Sequence, residues 1–378
     1  MNNKTIILGL AVVTSPINSY AESDDFKISQ AHTFKRFSIS AGWLHAAPLG
    51  QANPFHIATG ALNGDYRVGT IKLDTVNDAV AATSAGEAAQ KRLNTVASAG
   101  EFIGIIQDGT LTPEMSGRVN VQGIEQWQNA NTGLEANAVD TLGIMANYYF
   151  TDHWSLELKA GIPPKVDISG KGQIFAPFTG VATPEGNLPS GIINNIANQL
   201  IDGIGPIPLD KPIAITDLAQ GDQAASVRAW LPAAEIHYQF GRSGINKFRP
   251  YVGIGVMYAY FDKVQLNPAI ESDLISAGHK VQNILDNQAG AALEGSLSSA
   301  DPEVKVKTSD AFAPIVTLGA SYDFNPRWFA VASLSYAKLN NEADIRVTDR
   351  QSGKTLIQSK TKIDIDPIIT YLGLGYRF

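Results

Sequence analysis

The sequence predicts an all-β fold: an eight-stranded antiparallel transmembrane β-barrel with long, partly helical extracellular loops. Three observations predict it. Strand-like stretches come in pairs joined by short connectors, aromatic residues crowd both flanks of those connectors, and the chain closes on an alternating segment that ends in Phe378. Counted back by twos from that residue, Tyr376, Leu374, Leu372, Thr370 and Ile368 form one face, mostly apolar, as a strand with one side in lipid requires.

Taken in order, the first strand is Phe37–Ala47. The first pair is Val139–Phe150, a turn at Thr151-Asp152-His153, then Trp154–Ile162. The second is Val227–Phe240, a turn through Gly241–Lys247, then Phe248–Val264; the third is Val306–Phe324, a turn at Asn325-Pro326, then Arg327–Thr348. Thr355–Phe378 is the eighth strand. Beside the turns stand Tyr148, Tyr149, Phe150 and Trp154; Tyr238, Phe240, Phe248 and Tyr251; Tyr322, Phe324, Trp328 and Phe329; and Tyr376 and Phe378 at the end. All are expected in one aromatic girdle at one membrane interface. Short turns on one side and the long insertions 50–136, 166–226 and 265–305 on the other place both termini on the short-turn, periplasmic side, with a tight hairpin at 349–354. The last two strands exceed the roughly 9–11 residues that cross a membrane, so the wall is expected to project beyond it.

Composition closes off other classes. The chain has 378 residues, no cysteine and a net charge of −7, so disulfides, thiolate metal sites and cysteine nucleophiles are absent. There is no basic run to suit nucleic acid. Lys4, the apolar run Thr5 to Val13 and Ser19-Tyr20-Ala21 read as a signal peptide over residues 1–21, leaving 22–378 as a single outer-membrane barrel domain. Within the insertions, residues 79–100 are Ala-rich and helix-compatible. Ile192, Ile193, Ile196, Leu200, Ile201 and Ile204 recur at helical spacing, and Pro268 opens a third candidate. These helices read as a lid packed on the barrel rim, or else as a partner-binding surface.

Parity assigns the faces. Phe37, Ile39, Trp43, Leu142, Ile144, Leu156, Leu158, Ile236, Val252, Ile254, Val256, Val316, Leu318, Leu372 and Leu374 fall on the lipid side without one charge. Facing the lumen near the turns are Asn147, Glu157, Lys159, Glu235, His237, Gln239, Arg249, Asp323 and Arg377. Further out the lumen turns apolar: Leu44, Met145, Leu231, Met257, Phe261, Ile315, Ile365 and Ile369. Eight strands leave an interior that side chains can fill, so a water-filled porin is not expected. The pattern reads as an apolar chamber above a periplasmic plug in which Glu157, Glu235, Lys159, Arg249 and Arg377 pair with one another, with His237 hydrogen-bonded among them. The bland alternative is that the apolar positions are a packed core. His45 and His153 lie at other depths, no metal site follows from spacing, and neither a zinc-protease nor a serine-hydrolase motif occurs.

Phe248-Arg249-Pro250-Tyr251-Val252-Gly253-Ile254-Gly255, the run Tyr322 through Trp328, Asp366-Pro367 and the closing Gly375-Tyr376-Arg377-Phe378 resemble the OmpW family of outer-membrane proteins. Leu231-Pro232 and Phe37 to Pro48 are similar to it as well. The resemblance covers the eight strands; the insertions at 50–136 and 166–226 are longer than usual. It implies a Gram-negative outer-membrane barrel, without cofactor and not an enzyme, that passes small hydrophobic molecules. It also implies a proline near the outer end of strand three, matched by Pro163 and followed here by Pro164. Those two prolines, lacking a ladder donor, are the expected lateral gate into lipid. Expected partners are outer-membrane lipid and lipopolysaccharide, small hydrophobic solutes and the barrel-assembly machinery. The competing class is a surface-interaction barrel that displays its loops without transport.

Overall fold

Alternating apolar and small or polar residues, broken by turn residues, give eight neighbouring strands that close on themselves. A computed structural model describes residues 35–378; the leader and the expected start at Glu22 lie outside the described residues. The barrel strands are β1 (Phe37–Ala47), β2 (Val139–Tyr149), β3 (Trp154–Gly161), β4 (Ala233–Gln239), β5 (Phe248–Leu266), β6 (Ala311–Asp323), β7 (Trp328–Ala337) and β8 (Ile368–Arg377). Each pairs antiparallel with its sequence neighbour, and β1 closes on β8 through Ile39 opposite Tyr376 and Trp43 opposite Leu372. Among the described residues, no helix is long and apolar enough to cross a membrane.

The lipid-facing set is exposed as expected, Ile254 and Leu318 most of all, with Leu156 half-buried. The turn-side girdle holds Phe37, Phe150, Trp154, Phe240, Phe248, Tyr322, Phe324, Trp328 and Phe378 on the outside. Three aromatics expected there point the other way. Tyr149, Tyr251 and Phe329 are buried in the barrel, because each directly neighbours or falls out of phase with an outward residue and the pleat reverses face at every step. A second exposed aromatic belt sits at the other end: Trp43, Trp230, Tyr260, Phe312 and Tyr336. On β5, Phe248 of the first belt and Tyr258, whose ring packs on Phe312 of the second, are ten residues apart. At about 3.3 Å per residue and a tilt of about 40°, that is about 25 Å, the height of a barrel's apolar band.

The long wall strands do not run through as single elements. Only β5 continues unbroken past the rim. The stretch expected as Val227–Phe240 divides at Leu231-Pro232, Val306–Phe324 at Ser309-Asp310, Arg327–Thr348 at Lys338-Leu339, and the closing stretch at Ile365-Asp366-Pro367. Proline supplies no ladder donor at two of these breaks, and beyond the membrane the strands regroup into new sheets. One sheet continues from β5 through 225–230, 165–171 and 133–136. A separate five-stranded sheet runs 302–308, 340–349, 355–364, 55–59 and 126–129.

The insertions form the expected helices, but not merely a lid. Helices Ser84–Phe102, Ile192–Asp202 and Pro268–Leu285 are present, the last capped by the Asn267 side chain accepting from Ala269 N at 2.9 Å. Together with the sheets they bury a core that includes Phe55, Leu93, Val121, Ile207, Leu274, Val347 and Leu356, drawn from every long-loop insertion. In Ile192–Asp202 only Ala197 and Ile201 are buried, and Ile192, Ile193, Ile196 and Leu200 lie exposed.

Candidate functional site

Parity turns Glu157 and Lys159 of β3, Glu235 and His237 of β4, Arg249 of β5 and Arg377 of β8 into the barrel, where all six are buried. They form two groups rather than one. In the middle, Lys159 Nζ lies 2.6 Å from Glu235 Oε1 and 3.5 Å from Glu157 Oε1, and donates to Thr317 Oγ1 at 3.0 Å and Ser335 Oγ at 3.2 Å. His237 Nε2 stands 3.3 Å from Glu235 Oε2 and 3.8 Å from Glu157 Oε1, its ring stacked on Tyr251. Asn147 donates to Glu157 Oε2 at 2.8 Å.

Nearer the turns the arginines take other partners. Arg249 donates to the Asp152 carbonyl and lies 3.3 Å from Asp152 Oδ1; Arg377 donates to Asp323 Oδ1 at 2.7 Å and covers the Phe329 ring. The expectation that both arginines pair with Glu157 and Glu235 is therefore corrected. Each guanidinium finds a carboxylate at its own depth, and reaching two levels deeper would strand Asp323 in the interior. Asp152 was missed because it sits in a turn, outside any face pattern; the acid just before an aromatic hairpin was the only signal.

Sequence spacing offered no metal site, yet the fold brings the ligand-type atoms of Glu157, Glu235 and His237 within 4.8 Å of one another. The Lys159 ammonium occupies the same carboxylates, so the chain itself supplies the cation there. His45 instead meets exposed Asp140 at 2.9 Å beside Trp43, and His153 bonds the Gln239 carbonyl. A polar cavity of about 20 Å³ adjoins the charged group, lined by Asn147, Glu157, His237 and Gln239 among others. By volume it has room for one or two waters.

The apolar lumen residues also divide. Met145 packs with Tyr251, Phe329, Val331 and Tyr371, with Leu44 against them, as a layer beside the charges. Tyr371 and Val331 were missed, although Tyr371 shares the phase of Ile369 and Arg377. Inward glycines make the space: a Cβ on Gly319 would meet the Tyr251 ring at 2.3 Å, and one on Gly375 the Phe329 ring at 2.2 Å. Met257, Ile315 and Ile369 form the next layer. Leu231, Phe261 and Ile365 line a chamber of about 90 Å³ at the rim, closed by residues of both upper sheets such as Val166, Val227 and Ile345.

Pro163 and Pro164 lie half-buried between β3 and strand 165–171. On one side, ladder pairing stops at Lys159 opposite Ala233 and resumes at Lys165 opposite Arg228, with one bond from Ala229 N to Pro164 O at 3.1 Å. On the other, it stops at Gly161 opposite Gly143 and resumes at Ile168 opposite Ala136, bridged by Ile162 N to Leu142 O, Thr141 Oγ1 to Ile162 O and Asn137 N to Asp167 O. Pro232 faces the same interruption from β4. The wall is thus thinly bonded on both flanks of the prolines, level with Trp230 of the upper belt. Val139, Val166 and Leu231 beside it line the chamber.

Residues 294–378, which hold β6 to β8 and the Asp323–Arg377 pair, match the OmpW family. Over that stretch the chain is similar to the OmpW family. Outer membrane protein W of Vibrio cholerae serotype O1 is 24% identical over 251 residues, 66% of this chain and 79% of its own. OprG from Pseudomonas aeruginosa is 14% identical with a TM-score of 0.45, covering 92% of this chain and 97% of that one. AlkL is 13% identical with a TM-score of 0.36, covering 92% and 93%. The closed eight-stranded barrel and its exposed apolar band are those of an outer-membrane β-barrel, the band lying against lipid.

Proposed function

We propose that this barrel passes small hydrophobic molecules across the outer leaflet and releases them sideways into the membrane. One observation carries the reading: an apolar chamber at the rim borders a stretch of wall that three prolines leave thinly hydrogen-bonded. At about 10–15 Å³ per water-sized occupant, 90 Å³ holds about six to nine heavy atoms, the size of a short alkane or a single aromatic ring. The packed layer of Met145, Tyr251 and Tyr371 and the charges beyond it oppose passage along the axis, since desolvating the Lys159 pairs costs about several kcal/mol per ion. On this reading Glu157, Lys159, Glu235, His237, Arg249 and Arg377 are a plug, the short turns and both termini face the periplasm, and lipopolysaccharide surrounds the upper belt. The barrel-assembly machinery inserts the chain. None of these side chains is assigned chemistry.

The test is uptake of radiolabelled hexane or toluene by cells displaying matched surface levels of each variant. Pro163, Pro164 and Pro232 changed together to Val restore up to three ladder donors, each worth about 0.5–1.5 kcal/mol, and uptake slows. Ala229→Phe fills the chamber and stops it. Wild-type uptake no faster than an empty-vector strain refutes transport and favours loop display; transport unaffected by the proline changes refutes the side exit alone.

A further inference from the structure

The core built by the insertions holds a second cavity, of about 70 Å³, which the proposed route does not use. Its lining is apolar almost throughout, with Val76, Leu93, Val121, Phe178, Leu209 and Ile284 among the walls. Two polar side chains interrupt it, Ser116 and Lys280. Ser116 is 4% exposed, and its hydroxyl oxygen has no hydrogen-bond partner among the described residues. Lys280, half-buried on helix Pro268–Leu285, has no carboxylate within 4.0 Å of its ammonium among the described residues. Burial pulls its pKa below the ordinary lysine range, offset in part by the negative charge of Asp273.

An orphan buried hydroxyl such as that of Ser116 is costly, and the half-buried, partly desolvated Lys280 ammonium gains from an opposite charge. An apolar pocket with a few convergent polar groups is also the usual anatomy of a small-molecule site. We propose that this cavity binds a short-chain carboxylic acid. The alkyl chain lies along Val121, Leu209 and Ile284, the carboxylate meets Lys280, and the Ser116 hydroxyl donates a hydrogen bond to the same ligand. The volume sets the length: at about 10–15 Å³ per occupant, 70 Å³ takes about five to seven heavy atoms. An alkane leaves both polar groups unmatched, and an amine meets a like charge. The site goes beyond the transport reading and stands whether or not solutes cross the barrel.

The experiment is titration calorimetry of the full chain in lipid nanodiscs, with empty nanodiscs as blank and pentanoate, pentanol and pentylamine as probes. Pentanoate is expected to bind one to one and tighter than pentanol, with pentylamine weakest. Lys280→Met weakens pentanoate by about tenfold or more, the size of one charge-assisted contact, and leaves pentanol unchanged. Lys280→Arg keeps the preference for the acid, which separates lost charge from lost folding. Ala182→Leu fills this cavity and abolishes binding, whereas Ala229→Phe in the barrel chamber leaves it intact. The proposal is overturned by pentanoate binding no tighter than pentanol, by Lys280→Met binding like wild type, by Ala229→Phe removing the signal, or by no binding of any probe.

Discussion

Lys159 is a cation shared by two buried carboxylates, and Lys159→Met tests how much of the barrel's stability rests on that arrangement. Glu235 is fully buried and Glu157 2% exposed, and Lys159 reaches them at 2.6 and 3.5 Å while also holding Thr317 and Ser335. Methionine keeps an unbranched side chain of similar length, so the change removes charge with little cavity. Leaving one buried charge without its partner costs about 3–5 kcal/mol, and two carboxylates facing each other put the effect at the upper end of that range. The assay is equilibrium urea unfolding in phospholipid vesicles, followed by tryptophan fluorescence. The triple change Lys159→Met with Glu157→Gln and Glu235→Gln removes all three charges, and most of the lost stability returns. A single variant within about 1 kcal/mol of wild type, or a triple variant as weak as the single, would show that water already solvates this group and that the charges are not a closed interior cluster.

Three further outcomes follow from the same geometry. In planar bilayers the wild type passes little ionic current, and Glu157→Gln with Glu235→Gln raises it only modestly, because Arg249 and Arg377 keep Asp152 and Asp323; a steady large open-pore current in the wild type contradicts the plug. Asp349 accepts from the backbone of Asp301, Gln351 and Ser352 and from the Ser352 hydroxyl, which hold its pKa at about 2, below the ordinary carboxylate. Its stabilising contribution is present in full above about pH 4 and fades as pH falls through about 2, so Asp349→Asn lowers the melting temperature at pH 7, speeds tryptic cutting at Arg350 and Lys354, and makes little difference near pH 2. Ile192→Ser with Ile196→Ser on the exposed helix face changes unfolding by about 0.5 kcal/mol or less in the urea assay, and a larger loss shows that this face is covered.

The barrel was readable because its rules are local. Period-two alternation fixes which residues meet lipid, and parity alone placed Glu157, Lys159, Glu235 and Met257 inside. The errors came where a single residue step mattered or where partners lie far apart in sequence. Tyr149, Tyr251 and Phe329 were grouped with girdle aromatics by nearness to a turn instead of by phase. Asp152 gave no pattern at all, and the cluster of Glu157, Glu235 and His237 needed the register of β3 against β4, in which Glu157 stands opposite Glu235. The core of the insertions was beyond reach for a stronger reason. Its helices are visible as stripes, but which strand of one loop pairs with which strand of another is decided by three-dimensional closure.

That closure sets an order of assembly. Strand 55–59 lies against 355–364, with His56 opposite Lys360, at opposite ends of the described chain. Finding that pairing from an open chain means closing a loop of about three hundred residues, whereas the barrel can grow strand by strand from its three short hairpins, β2–β3, β4–β5 and β6–β7. Once β1 has zipped onto β8, residue 47 sits beside residue 368 and the remaining search is short. The outer core therefore condenses after the barrel has shut, and a chain halted before that point carries Phe55, Val121 and Leu356 unburied on separate loops. Such an intermediate is the form most open to proteases and self-association, so damage to the β1–β8 seam should show first as degraded or aggregated loops, ahead of any defect in the membrane wall.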